Sequence, residues 1–346
     1  MSLDDIQYIE GLYRVFLGRL PSIRERDEWL TVLRNNLSDR DLFARFDNWQ
    51  KTRNVQDVAT RKKSVTTSVV PKSDASNLAE LCGRLQYPVF IVGSPRSGTS
   101  VLVDALTAAG YCGFREGHLL SLISIINNMV DHHFGIFSGN SQVLISNVDK
   151  EDLKSKICEI FKTITNDLNA KEPWFDKTGN PEMILSIPII SALWPESVFI
   201  YAKRRAIENI KSRLKKFPSH SFEAHCRNWT SHMSAWRRMR EILATNRWIE
   251  IDQQRMIRHP EATSKHLQNF LHLDEHAKRV MTQIFESARP QESAEGSAEE
   301  VLALADTGWS QEMIDIFTQK CGSEMEAYGY SFDAKYFAEE SHTKIS

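Results

Sequence analysis

From residue 88 onward the chain alternates two kinds of apolar pattern. Short unbroken apolar runs at residues 88–92, 198–202 and 248–251 predict buried strands, and the segments between them carry apolar residues at helical spacing. Strands that alternate with helices imply a mostly parallel sheet covered on both faces. Upstream, Ile9, Leu12, Val15 and Phe16, and then Trp29, Leu30, Val32 and Leu33, recur at helical intervals, with Gly18 and Pro21 between the runs. That pattern predicts a small helical unit over residues 1–60. Residues 61–77 lose all periodicity and are rich in Lys, Ser and Thr, which predicts a linker and leaves the main domain to residues 78–346. The polar stretch QESAEGSAEE at 291–300 predicts a mobile loop before a final amphipathic helix. Trp229 and Trp236 are seven apart, so they share a helix face and are expected in the core.

The segment YPVFIVGSPRSGTSVLVDALTAAG, residues 87–110, carries the most chemistry. An apolar strand runs into Gly93, Ser94, Pro95, Arg96, Ser97, Gly98, Thr99 and Ser100, and from there into a helix with apolar periodicity. Glycines let backbone N–H groups close around an anion, and the N-terminus of the helix adds the positive end of its dipole. The expected guest is a phosphate. Against the Walker A pattern GxxxxGK[ST], both glycines and the final hydroxyl are present, but Thr99 stands in place of the lysine and the positive charge sits at Arg96. Loss of the lysine that reaches the β- and γ-phosphates argues against an ATPase or kinase.

Composition narrows the field without choosing within it. The 346 residues are enough for a large α/β domain with an appendage. Lys and Arg number 43 against 45 for Asp and Glu, so no overall field favours nucleic acid or an anionic membrane. The five cysteines are widely spaced without a CxxC, a pattern of reduced and mostly buried thiols. The adjacent His132 and His133 point to different sides of a helix and have no evident third partner, so no metal site is expected. The acidic first residues and the absence of a span-length apolar run predict a cytoplasmic enzyme without a transmembrane segment. The helix bearing Lys211, Arg213, Lys215 and Lys216 reads as a solvated basic face.

The loop G-S-P-R-S-G-T-S resembles that of the P-loop sulfotransferases, in particular the glycan and tyrosylprotein types, whose loop reads G-x-P-R-S-G-T-[TS]. The resemblance implies an α/β fold with a P-loop NTPase-like parallel sheet flanked by helices. It implies that residues 94–100 grip the 5′-phosphosulfate end of 3′-phosphoadenosine 5′-phosphosulfate, the sulfuryl donor. It assigns Arg204, at the end of SVFIYAKR, and Ser212, eight positions on, to the 3′-phosphate, a task suited to a guanidinium fork and a hydroxyl. The family's usual R-D-P opening is here Arg204-Arg205-Ala206, which leaves two arginines as candidates for that contact, with spacing favouring Arg204. The resemblance further implies Glu116, seventeen residues after Thr99, as the general base, with His118 in reserve, and Lys177 together with Arg96 as the cations that steady the sulfuryl group. The acceptor is expected to be a hydroxyl, a carbohydrate first, placed by an insertion over residues 119–170. The likeness extends over residues 86–332, and the N-terminal segment from residue 8 to residue 33 resembles a small helical module of bacterial extracellular and glycan-related proteins. Two other classes remain open on the residues alone: a Mg²⁺-dependent kinase or NTPase, and a non-catalytic module that senses the spent donor.

Overall fold

The computed structural model describes residues 87–137, 139–169, 173–287 and 301–338. The expected helical unit, the linker, the 291–300 loop and Cys82 lie outside the described residues. Five strands form one sheet in the order β2-β3-β1-β4-β5, with every pairing parallel. They are β1 (Val89–Gly93), β2 (Cys112–Phe114), β3 (Trp174–Lys177), β4 (Val198–Lys203) and β5 (Trp248–Asp252). The central strands β1 and β4 are the long apolar runs, buried on both faces as parallel strands between helical layers must be. The alternation of side chains along β1 divides the core in two. Phe90 and Val92 join Phe199, Tyr201, Trp229 and Trp236 on one face, and Val89 and Ile91 join Phe175, Val198 and Ile200 on the other.

Helix α1 (Thr99–Ala108) follows β1 directly. Helices α2 (Leu122–Phe137) and α3 (Lys150–Asn169) fill the insertion between β2 and β3, and α4 (Pro181–Leu185) and α5 (Ile187–Leu193) connect β3 to β4. Helix α6 (Ala206–Lys216) follows β4, and α7 (Phe222–Arg240) leads towards β5. After β5 come α8 (Gln253–Arg258), α9 (Pro260–Leu271), α10 (Glu275–Ser287) and the closing α11 (Gln311–Ala327). Helix α7 starts at Ser221, whose side chain accepts from the Ala224 N–H, and it buries both predicted tryptophans completely. Trp236 stacks on Tyr201 with ring centroids 4.7 Å apart, which anchors α7 across the sheet.

In this order the connection after β1 runs to one side of the sheet, to β2, and the connection after the neighbouring β4 runs to the other, to β5. Such a switch point opens a crevice beyond the carboxyl ends of the strands, the usual ligand position in open α/β sheets. No helix among the described residues is long and apolar enough to cross a membrane.

Candidate active site

The loop after β1 is shaped by two glycines in left-handed backbone. Gly98 has φ 89° and begins α1, and Gly93 has φ 151° and passes so close to β4 that a Cβ there would strike the Ala202 carbonyl. Arg96 also takes a left-handed conformation, φ 72°, which turns its side chain out of the loop towards α6. Ser97 N–H donates to Ser94 O at 3.2 Å and closes the turn. The loop is held from below by α6, where Asn209 Nδ2 donates to Pro95 O at 3.0 Å and to Ser97 Oγ at 3.1 Å.

The two donor motifs meet although more than a hundred residues separate them in sequence. Arg96 Nε donates to Ser212 Oγ at 2.9 Å, and Arg204 Nη1 donates to the Arg96 carbonyl at 3.1 Å. Burial pulls both guanidinium pKa values below the ordinary arginine value. Arg204 Nε and Asn209 Oδ1 are buried polar atoms without a hydrogen-bond partner among the described residues, at the same end of the loop. Arg205, the rival of Arg204 for a phosphate, is fully buried and committed elsewhere. It pairs with Glu208 and donates to the carbonyls of Leu302, Ser331, Asp333 and Lys335.

On the other side of β1, Lys177 ends β3 with its side chain buried, and its Nζ is ion-paired with Glu116 Oε1. The second Glu116 oxygen lies 3.3 Å from His118 Nε2, so the three residues form one group at the ends of β2 and β3. Backbone contacts fix that group. Gly117 N–H donates to Lys177 O at 3.0 Å, and a Cβ on Gly117 would overlap the Asp176 carboxylate, so the close approach needs glycine. His118 N–H donates to Thr178 Oγ1 at 3.0 Å, and that hydroxyl donates to Asp176 Oδ1 at 2.8 Å. Burial raises the Asp176 pKa, with the Thr178 hydrogen bond opposing it.

Thr178 N–H donates to Ile91 O of β1 at 3.3 Å, and the Cβ position of Gly179 lies 3.9 Å from Gly93 O and 4.0 Å from Pro95 Cγ, so this turn runs beside the loop after β1. The turn closes on Asn180, whose side chain caps α4 by accepting from Met183 N–H, with Pro181 in the first turn. From α7, His232 reaches the same turn, with its Nε2 3.3 Å from Gly179 O and its Nδ1 2.7 Å from Asn228 O. Two carbonyls face a ring that carries one proton when neutral. Burial nevertheless dominates and lowers the His232 pKa from 6.5 to about 4. A histidine whose folded pKa lies below its unfolded value binds more protons when unfolded, so stability falls as pH drops below 6.5 and the loss is complete below about 4. His232→Gln is therefore expected to lose less stability than the unsubstituted protein between pH 7 and pH 4.5, as read from urea unfolding at the two values.

Ser94, Ser97 and Thr99 are buried at the loop, and Ser100 is exposed at the start of α1. Arg213 corrects the solvated basic face predicted for α6. It is only 4% exposed and turns inward under the loop, because α6 packs that side against α7 and residues 94–95. Asn209, Arg213, Asn228 and His232 were not read as site residues from the sequence. Only the four-residue spacing of Asn228 and His232 along α7 hinted at a shared face. Of the cysteines, Cys158, Cys226 and Cys321 are buried thiols and Cys112 is exposed. Among the described residues no cluster of three or more metal-ligating side chains is present.

A family model described as "Sulfotransferase family" matches residues 88–277, more than half of the chain. The chain is a member of the sulfotransferase family. The matched span runs from β1 into α10 and contains the phosphate loop, Glu116, Lys177, Arg204 and Ser212. Among solved structures, this sulfotransferase is similar to sulfotransferase STF9 from Mycobacterium avium, with 12% identity, 72% of this chain and 78% of that chain covered, and a TM-score of 0.45. It is similar to mouse sulfotransferase SULT7A1 complexed with PAP at 12% identity, covering 73% and 90% of the two chains, with a TM-score of 0.40. A sulfotransferase domain from the curacin biosynthetic pathway matches at 20% identity, covering 56% and 77%, with a TM-score of 0.38. No curated protein sequence matches the sulfotransferase described here.

Proposed function

We propose that this sulfotransferase moves a sulfuryl group from 3′-phosphoadenosine 5′-phosphosulfate to an acceptor hydroxyl, with a carbohydrate as the acceptor. The observation that carries this reading is the strand order β3-β1-β4, which sets Lys177 and Arg204 on opposite sides of the same phosphate loop. Arg204 and Ser212 lie together on the α6 side, where a guanidinium fork and a hydroxyl suit a 3′-phosphate, and Arg96, expected with Lys177 at the sulfuryl group, has its side chain turned to this side by its hydrogen bond to Ser212. The ion-paired Glu116 and Lys177 lie on the other side, where the 5′ end of the nucleotide and the acceptor would meet.

The chemistry follows from those placements. The Glu116 carboxylate takes the proton of the acceptor hydroxyl as its oxygen bonds to sulfur, and the bond from sulfur to the bridging oxygen of the 5′-phosphate breaks. The products are the sulfated acceptor and 3′-phosphoadenosine 5′-phosphate. Lys177 and the loop N–H groups face the negative charge that grows on the bridging and sulfuryl oxygens, and fixed donors of this kind contribute most of such a rate enhancement. His118 beside Glu116 orients the carboxylate and stands ready as an alternative base. The helical insertion α2–α3, which adjoins this group in sequence, supplies the acceptor pocket.

The test is calorimetric titration without metal against 3′-phosphoadenosine 5′-phosphate, adenosine 5′-phosphosulfate and ATP. The 3′-phosphorylated nucleotide is expected to bind at least about tenfold tighter than the other two, roughly 1.4 kcal/mol. Equal or tighter binding of ATP, and only with Mg²⁺, would mean that the chain handles a nucleoside triphosphate instead.

A further inference from the structure

Helix α6 buries two arginines with opposite surroundings. The charge of Arg205 is met by the Glu208 carboxylate one turn on. Arg213 is nearly as buried, yet its hydrogen-bond partners are all neutral: Asn228 Oδ1 at 2.5 Å, Pro95 O at 3.4 Å and Ser94 Oγ at 3.5 Å. Among the described residues no carboxylate lies within 4.0 Å of it. A buried cation without a counter-charge is costly, and neutral oxygens offset that cost only in part.

The other titratable groups around Arg213 are the free thiols of Cys226 and Cys321, with the Cys226 thiol pushed up by its neighbour and by burial, and two histidine rings. His225 and His232 from α7 both have lowered pKa values, through burial first, with the Arg213 charge adding to the effect, so both are neutral rings at pH 7. Desolvation lowers the Arg213 pKa itself to about 10, which leaves the guanidinium charged at neutral pH. The missing negative charge has one built position nearby. Ser94 and Pro95, the two loop residues that Arg213 contacts, begin the strand-to-helix turn that in the donor reading receives the 5′-phosphate.

We propose that Arg213 is a positioning residue for the 5′ end of the bound nucleotide: it fixes Ser94 and Pro95 from beneath, and its uncompensated charge is completed by the anion on the other side of the loop. The inference rests on the donor reading given above. It assigns Arg213 to the 5′-phosphate alone, in contrast to Arg204 and Ser212 at the 3′-phosphate. Asn228 is then neutral for a reason, because a carboxylate at that position would satisfy Arg213 in the empty protein and compete with the ligand.

Asn228→Asp tests this without removing a contact, since the new carboxylate keeps the shape of the amide. Calorimetry with adenosine 5′-monophosphate, adenosine 3′-monophosphate and 3′-phosphoadenosine 5′-phosphate is run alongside thermal unfolding. The variant is expected to unfold at the same or a higher temperature, to bind the two ligands bearing a 5′-phosphate about tenfold more weakly, and to bind the 3′-monophosphate within about twofold of the unsubstituted protein. Arg213→Lys is expected to retain most of the 5′-phosphate affinity that Arg213→Gln loses. Unchanged 5′-phosphate affinity in Asn228→Asp, or equal losses on both monophosphates, would overturn the inference and leave Arg213 a scaffold residue. If the unsubstituted protein binds none of the three nucleotides, the donor reading fails first and the inference falls with it.

Discussion

Glu116→Gln is expected to lower kcat for sulfuryl transfer by about 10²–10⁴-fold while the affinity for 3′-phosphoadenosine 5′-phosphate stays unchanged. The substitution keeps the size of the side chain and its ability to accept a hydrogen bond from Lys177, but an amide cannot take a proton from an attacking hydroxyl. More than half of the Glu116 side chain is exposed, so an acceptor can reach it from solvent while Lys177 holds one carboxylate oxygen from the buried side. Lys177→Met removes the cation and is expected to reduce kcat by about 10²–10³-fold, the range found when one fixed donor to a developing charge is lost. Both variants are measured by transfer of a radiolabelled sulfuryl group to sugars that the unsubstituted protein turns over. If Glu116→Gln keeps its rate and His118→Gln loses it, the base is the histidine.

The parts of this site that could be read from sequence are those in which chemistry and local structure coincide. The loop from Gly93 to Ser100 joins a continuous apolar strand to an apolar-periodic helix, so its glycines, arginine and hydroxyls could be placed before any tertiary contact was known. Strands β4 and β5 were legible for the same reason, each falling within one or two residues of its apolar run. Strand β3 was not, because WFDK is four residues long and ends in two charged side chains; its burial comes from non-local contacts, the pairing with β1 and β2 and the packing of Trp174 against Phe90 and Trp194. Arg213 was misread because four basic residues near one helix end look like a solvated face. Which of them turns inward is decided by α7 and the phosphate loop, neither of which is local to α6. Arg204 and Ser212 both contact Arg96, whereas Arg205 is drawn inward by carbonyls 97 to 130 residues away that the sequence around it does not reveal.

That separation of neighbours leads to the largest stability effect expected here. Arg205→Met would strand the Glu208 carboxylate in a buried position and remove donors from the carbonyls of Leu302, Ser331, Asp333 and Lys335. Breaking a buried ion pair from one side costs about 3–5 kcal/mol, because the remaining charge stays desolvated. Urea unfolding should therefore show a loss of this size for Arg205→Met, with partial recovery when Glu208→Leu is added and the stranded charge removed. Arg204→Met, one residue earlier, removes a partly buried side chain whose hydrogen bond runs to the Arg96 carbonyl, so its expected cost in stability is only about 1 kcal/mol. Its effect belongs in binding instead, with the affinity for 3′-phosphoadenosine 5′-phosphate falling at least about tenfold. The two substitutions thus separate the arginine that ties residues 301–338 to the sheet from the arginine proposed to meet the nucleotide. A variant pair with the effects exchanged would move the 3′-phosphate contact to Arg205 and require the closing segment to open before the donor binds.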